Sequence, residues 1–151
     1  MKSKNYWLLK SEGYTIDHLQ NDKTTDWTGV RNYQARNFMK EMKKGEMCLF
    51  YRSGKDASVV GVAKVVSIPH PDPTQFVKGG YYFEPRATKA KPVWFCVDIQ
   101  FVKKFKEPIP LGAIKADPHL GGIMLAQQGS RLSVQPVSEK HYNYILKELA
   151  E

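Results

Sequence analysis

Apolar positions along the chain recur with two periods, and each change of period marks an element. Residues 5–10 (NYWLLK) form a short apolar run closed by Ser11, Glu12 and Gly13, the pattern of a buried strand that delivers Lys10 and Ser11 to its end. Thr15 precedes IDHLQND, where Ile16 and Leu19 lie three apart and Asp17 sits in the first turn, so Thr15 is expected to cap a short helix. Between Tyr33 and Met42 the residues Ala35, Phe38, Met39 and Met42 keep the i, i+3, i+4, i+7 spacing of an amphipathic helix, stopped by Lys43, Lys44 and Gly45.

Two β-branched and aromatic runs follow, EMCLFYRS (46–53) and SVVGVAKVVSI (58–68), separated by a short GKDA loop that makes them antiparallel neighbours. Residues 91–106 alternate as one long strand, with Val93, Phe95, Val97, Ile99 and Phe101 on one face and Trp94, Cys96 and Asp98 on the other. The stretch 69–90 has no period and reads as a long functional or covering loop. Glycines and prolines in PIPLGAIKADPHLGGIML predict short helical turns. RLSVQPV (131–137) reads as a last strand, and Ser138 as the cap of a closing helix with the stripe Tyr142, Ile145, Leu146 and Leu149. Strands dominate, with helices at the edges: an α+β pattern.

Composition narrows the picture. With 151 residues, 42% of them hydrophobic and 25% charged, the chain suits one folded domain spanning 1–151. No apolar run approaches the roughly 20 residues of a membrane span, and no secretory h-region opens the sequence, so cytoplasm or nucleus is expected rather than secretion. Cys48 and Cys96 sit in apolar runs without metal-ligand spacing and read as buried thiols. His18, His70, His119 and His141 are dispersed, and no metalloprotease, nucleophile-elbow or phosphate-loop motif occurs, so neither metal nor cofactor is expected. The net charge of +8 favours a polyanionic partner, although a solvated lysine face would give the same count.

The segment WTGVRNYQARN (27–37) is chemically unusual, bringing Trp, Tyr, two Arg, two Asn and Gln to a loop that enters a helix. Trp27 and Tyr33 offer flat faces for an unstacked base, or else belong to the core. Amide side chains there can read a base edge and guanidiniums can hold phosphate. In GSRLSVQPV (129–137), Arg131 precedes the strand and suits a phosphate, while Ser133 and Gln135 share a strand face.

YWLLKSE (6–12), WTGVRNYQARNFM (27–39) and RLSVQPV (131–137) resemble the three signature blocks of the EVE domain family, and FYRS, VVGVAKVV, YYFEP and VWFCVDIQFVKKF agree in order between them. The resemblance covers nearly the whole chain. It departs at Gly13, where family members carry proline, and at Thr28, where an aspartate is common. A PUA-like fold is implied, a twisted mixed β-barrel of about five to six strands with peripheral helices, whose pocket accepts a base extruded from nucleic acid. YTH domains, which cage N6-methyladenine, are similar more distantly through Lys10, Ser11, Trp27 and Arg131, but the GKDA loop lacks their additional cage tryptophan.

Residues and resemblance together give an expected site. The base pocket would draw on Lys10, Ser11, Trp27, Gly29, Val30, Asn32, Tyr33, Tyr51, Ser53, Leu132 and Ser133. Arg31, Arg36 and Arg131 would hold the flanking backbone, with Gln34, Asn37 and Gln135 in support. The expected activity is non-catalytic binding of DNA or RNA carrying a modified base. Rival readings are a modification-independent RNA-binding module, a nucleotide-acting enzyme using Cys48 or Asp98, and a protein-interaction domain. The oligomeric state stays open.

Overall fold

Strand β1 (Tyr6–Ser11) is buried on both faces: Trp7 and Leu9 enter one cluster of core side chains and Leu8 enters another. The computed structural model of the chain describes residues 5–128 and 131–150; Gly129 and Ser130 of the GSRLSVQPV segment, and both ends of the 1–151 span, lie outside them. Helix α1 (Ile16–Asp22) begins where Thr15 predicts. Thr15 Oγ1 accepts the His18 N–H at 3.1 Å, and His18 Nδ1 accepts the Thr15 N–H at 3.0 Å. This is a reciprocal capping box with imidazole where Glu or Gln usually stands.

After α1 comes a strand that the hydrophobic pattern does not announce, β2 (Thr24–Asp26). Helix α2 (Tyr33–Lys40) is capped by Asn32, whose Oδ1 accepts the Ala35 N–H at 3.0 Å, and it turns Ala35 and Met39 into the core. Strands β3 (Met47–Arg52) and β4 (Ser58–Val65) are antiparallel neighbours as expected. β3 also pairs with β1 in parallel, a geometry that requires a long crossover, here supplied by α1, β2 and α2.

The single long strand expected over 91–106 is two. β5 (His70–Pro71) pairs with β6 (Phe95–Cys96) in a small second sheet, and β7 (Asp98–Pro110) joins the main sheet. Val97 between them belongs to neither, its carbonyl taken by the Trp27 N–H at 2.8 Å. Trp94, Cys96, Val97 and Ile99 are all buried, so strict alternation fails where the chain passes from one sheet to the other. β7 also runs four residues further than expected. A bulge in β4 lets Gly61 lie against it so closely that a Cβ there would stand 2.3 Å from the Lys103 carbonyl oxygen.

Helix α3 (Leu111–Ala116) and two 3-10 turns, Pro118–Leu120 and Met124–Ala126, form the predicted helical turns. The last strand, β8 (Val134–Val137), starts three residues later than expected, leaving Arg131, Leu132 and Ser133 as its lead-in. Ser138 Oγ accepts the His141 N–H at 3.1 Å and caps α4 (Glu139–Tyr144), which continues as a π-helical turn, Ile145–Leu149.

The main sheet has the order β2-β7-β4-β3-β1-β8 and curls into a half-barrel, the α+β fold expected. α1 and α2 pack their apolar residues into the cluster around Trp7, Trp27, Phe50 and Val134. α3, α4 and the 3-10 turns close the other face over Leu8, Leu49, Val62 and Phe105. Each such fully buried aliphatic side chain contributes about 1.5–3 kcal/mol relative to exposure, which makes the doubly covered strands β1, β3 and β4 the rigid floor of the molecule.

Candidate functional site

β2 stands at one edge of the sheet and β1 beside the other, yet the curl brings their residues to one cavity of about 420 Å³. Its lining comes from the end of β1 and the loop after it (Lys10, Ser11, Glu12, Tyr14), from β2 (Thr25, Asp26), from the loop 27–30, and from Tyr82 and Ser133. The volume falls within the roughly 300–1,000 Å³ of small-ligand sites.

The cavity walls are fixed from behind. Trp27 is buried, with its ring edge-on to Phe50 at 5.6 Å and to Tyr14 at 6.4 Å. It is therefore both core and cavity wall, where the sequence left those readings as alternatives. Ser11 Oγ donates to the Tyr14 carbonyl, and the Lys10 N–H donates to the Ser133 carbonyl at 2.8 Å, tying the β1 end to the β8 lead-in. Burial lowers the pKa of the Lys10 ammonium, whose Nζ lies 5.8 Å from the Tyr51 ring centre. Tyr14 donates to Asp22 at 2.7 Å, and burial followed by that hydrogen bond pushes its hydroxyl up to about 12.

The 69–90 stretch covers the cavity and is held by an acid–base frame. Asp72 has no exposed side-chain surface. Its Oδ2 accepts the Gly29 N–H at 2.8 Å and Arg31 Nη1 at 3.1 Å, and its Oδ1 accepts the Thr74 N–H at 2.8 Å and the Thr74 hydroxyl. Burial alone would raise this carboxyl; the bonds from Thr74, Gly29 and Arg31 outweigh it and hold the pKa below the ordinary 3.8. Arg31 also donates to Thr74 Oγ1 at 3.0 Å and to the Tyr82 carbonyl at 2.9 Å, and its guanidinium faces the Tyr82 and Trp94 rings at 5.0 and 5.3 Å. Gly29 has φ +86°, and a Cβ there would come within 2.8 Å of the Tyr82 ring, so the loop lies directly beneath that tyrosine.

Of the expected pocket residues, Lys10, Ser11, Trp27, Gly29, Val30 and Ser133 line the cavity. Asn32 caps α2, and Tyr33 stacks on Trp94 at 4.9 Å while its hydroxyl accepts Arg86 at 2.8 Å. Tyr51 is buried in the opposite core cluster, Leu132 packs partly buried against the first, and Ser53 lines a second cavity of about 490 Å³ with Ser11, Tyr14, Arg52 and Lys104. Arg31 and Arg36 are engaged in the fold: Arg36 donates to the Val93 carbonyl at 3.0 Å and to Asn37 Oδ1 at 2.9 Å. Arg131 is exposed, as is Gln34. Gln135 is buried and donates to the Leu132 carbonyl at 2.9 Å, which shapes the β8 lead-in. Tyr82, Tyr14, Thr25 and Asp26 went unselected from the sequence. The covering-loop reading of 69–90 and the YYFEP segment of the resemblance were the pointers toward Tyr82.

Of the residues weighed for catalysis, Asp98 meets His70 and Cys48 lies in the core. Cys48 is fully buried, and burial pushes its thiol up. Cys96 is buried and pushed up to about 12, by burial first and then by the carboxylates of Asp72, Asp26 and Asp98. His70 Nε2 lies 3.0 Å from Asp98, and the Cys96 sulfur is 3.6 and 3.8 Å from the two His70 ring nitrogens. Among the described residues no cluster of His, Cys, Asp or Glu could hold a metal ion, and no helix is long and apolar enough to cross a membrane.

A curled mixed sheet, helices on both faces and one aromatic-walled cavity where the sheet edges meet together define a PUA-like domain. Within that class the chain belongs to the EVE domain family, whose model matches residues 5–148. It is 37% identical to human thymocyte nuclear protein 1 over 94% of this chain and 72% of that protein. Human THYN1 protein solved in complex with 5-methylcytosine-containing DNA superposes with a TM-score of 0.89 at 35% identity, covering 95% of this chain and 96% of that one. A protein from Leishmania major superposes with a TM-score of 0.90 at 44% identity, covering 95% and 93%.

Proposed function

We propose that this chain is a non-catalytic nucleic-acid reader that seats a flipped, modified base in the cavity between Trp27, Tyr82 and the β1 end. A methylated or hydroxymethylated cytosine, or a methyladenine, is the class of base intended. The cavity carries the reading: it is the size of a small-ligand site, has aromatic walls, and presents donors and acceptors from rigid strand ends. The DNA complex of the similar human protein supports it.

Within the cavity each group has a chemical task. Trp27 and Tyr82 supply apolar surface against which a base ring and its methyl group exclude water. Asp26 offers a carboxylate suited to the exocyclic amine of cytosine, and Lys10, with Ser11 and Ser133, offers donors for ring or backbone oxygens. Arg131 is the flanking-phosphate residue of this arrangement. Arg31 acts at one remove, by fixing the loop that carries Tyr82, and Arg36 ties α2 to the Val93 carbonyl. The location follows the nucleic acid, in cytoplasm or nucleus.

Extruding a base costs a few kcal/mol, least from a single strand or a damaged duplex. One methyl group in a fitted pocket contributes about 1–3 kcal/mol, so selectivity of about 10- to 200-fold over the unmodified base is expected. Fluorescence-polarisation titrations against oligonucleotides that are plain or carry 5-methylcytosine, 5-hydroxymethylcytosine or N6-methyladenine test this at two salt concentrations. Preference for one modification, lost in Trp27→Phe while the fold persists, supports the reader. Equal, steeply salt-dependent binding to all probes, RNA included, would replace it with a general electrostatic module driven by the +8 charge.

A further inference from the structure

Tyr81 is 94% exposed, whereas the next residue, Tyr82, is a wall of the cavity. Their rings meet edge to face at 4.9 Å and 88°. Val77, Tyr82 and Phe83 of the same segment are exposed as well, and a group of exposed apolar side chains, unlike a single one, marks an interaction surface.

The segment beneath it is firmly pinned despite its lack of regular structure. Gln75 is fully buried; its Nε2 donates to the Asp72 and Trp94 carbonyls at 2.9 and 2.7 Å, and its Oε1 accepts the Val93 and Trp94 N–H groups at 2.9 Å. The Glu84 N–H donates to the Gln75 carbonyl at 2.9 Å, and the Phe83 N–H to the Gly80 carbonyl at 3.2 Å. Arg31 holds the Tyr82 carbonyl at 2.9 Å, so Tyr81 is anchored on its C-terminal side and presented outward. Between residues 78 and 91 the chain carries Lys78, Arg86, Lys89 and Lys91 against one acid, Glu84, which Arg86 and Trp94 engage. A preorganised aromatic beside the cavity, in a cation-rich segment, matches a polyanion with stacked aromatic planes.

We propose that Tyr81 enters the base stack of a duplex at the place the extruded base vacates, holding the opened step apart while the base occupies the neighbouring cavity. The assignment rests on the base-reading function above. It makes Tyr81 a positioning residue for double-stranded targets, since a single strand has no gap to fill.

The test is polarisation titration of the full chain with a duplex carrying one 5-methylcytosine opposite guanine, its single strand, and their unmodified twins. Tyr81→Ala is expected to weaken duplex binding about tenfold, on the scale of one lost base–aromatic stack, while leaving the single strand bound within about twofold. Tyr81→Trp should restore the duplex, and melting temperatures should stay close to the parent because Tyr81 is 94% exposed and its described ring contact is the edge-on one to Tyr82. Unchanged duplex affinity in Tyr81→Ala, with the parent still preferring the modified probe, overturns the wedge and leaves the reader standing. Equal losses on duplex and single strand overturn it too, in favour of a general stacking surface. A parent that binds modified and plain probes alike overturns both proposals.

Discussion

The carboxylate of Asp72, with no side-chain surface exposed, lies 3.1 Å from the guanidinium of Arg31, forty-one residues earlier in the chain. This pair joins the signature segment at 27–37 to the covering loop, and through the Tyr82 carbonyl it sets where the cavity's aromatic cover stands. Removing one partner of a buried, hydrogen-bonded pair strands the other, which costs about 3–5 kcal/mol. Asp72→Ala is expected to lower unfolding free energy by that order in urea titrations at neutral pH.

The same carboxyl gives the pH dependence its sign. Asp72 is more acidic in the folded chain than its ordinary 3.8, so it stabilises the fold above that value, and the stabilisation disappears as falling pH protonates the folded form. Glu84, held down to about 2 by Arg86 and then Trp94, acts in the same direction. Thermal melts are expected to fall between about pH 4 and pH 2, with a shallower fall in Asp72→Asn.

Arg31 and Arg131 should separate cleanly. Arg131→Gln removes an exposed cation, and is expected to weaken oligonucleotide binding, reduce the log–log salt slope by about one, and leave the melting temperature unchanged. Arg31→Gln is expected to lower the melting temperature first, since its charge is used inside the protein. Salt-series titrations paired with melts of both variants check the distinction.

Gly29 tests the cavity wall from beneath. Gly29→Ala forces a side chain onto φ +86° and into the Tyr82 ring, so more than about 1 kcal/mol of stability should be lost. Tyr82 can swing aside to relieve the contact, so binding is expected to fall by a larger factor than stability. Comparison of urea midpoints with affinities for one modified oligonucleotide measures both.

Cys48 and Cys96 are expected to resist iodoacetamide at pH 8 in the folded protein and to react once it is denatured, because both thiols are buried and raised. Rapid labelling of Cys48 in the native chain would favour the nucleotide-acting enzyme that uses it.

Local rules made much of the fold legible. Thr15, the α2 stripe and Ser138 were readable because caps and helical spacing depend on residues within a few positions of each other. The 91–106 strand misread as continuous shows the limit: Trp94, Cys96, Val97 and Ile99 are all buried because two sheets share that run, and one alternating pattern cannot encode two registers. The site divides along the same line. Lys10, Ser11 and Trp27 sit in strongly patterned segments at the cavity, whereas Asp72 and Tyr82 reach it only through contacts more than forty residues distant. That distance also hides why Arg31 is structural, since nothing adjacent to it predicts a buried acid.

The base-in-cavity claim is tested most directly by following the indole N–H signals of the three tryptophans in a nitrogen–proton NMR titration. Trp7 Nε1 is sequestered against Glu46 at 2.8 Å and Trp94 Nε1 bonds Glu84 at 3.0 Å, whereas Trp27 lines the cavity. A single strand carrying 5-methylcytosine or another preferred modification is expected to shift Trp27 saturably, leave Trp7 in place, and act at lower concentration than its plain twin. Tight binding that leaves the Trp27 signal unmoved would contradict the account.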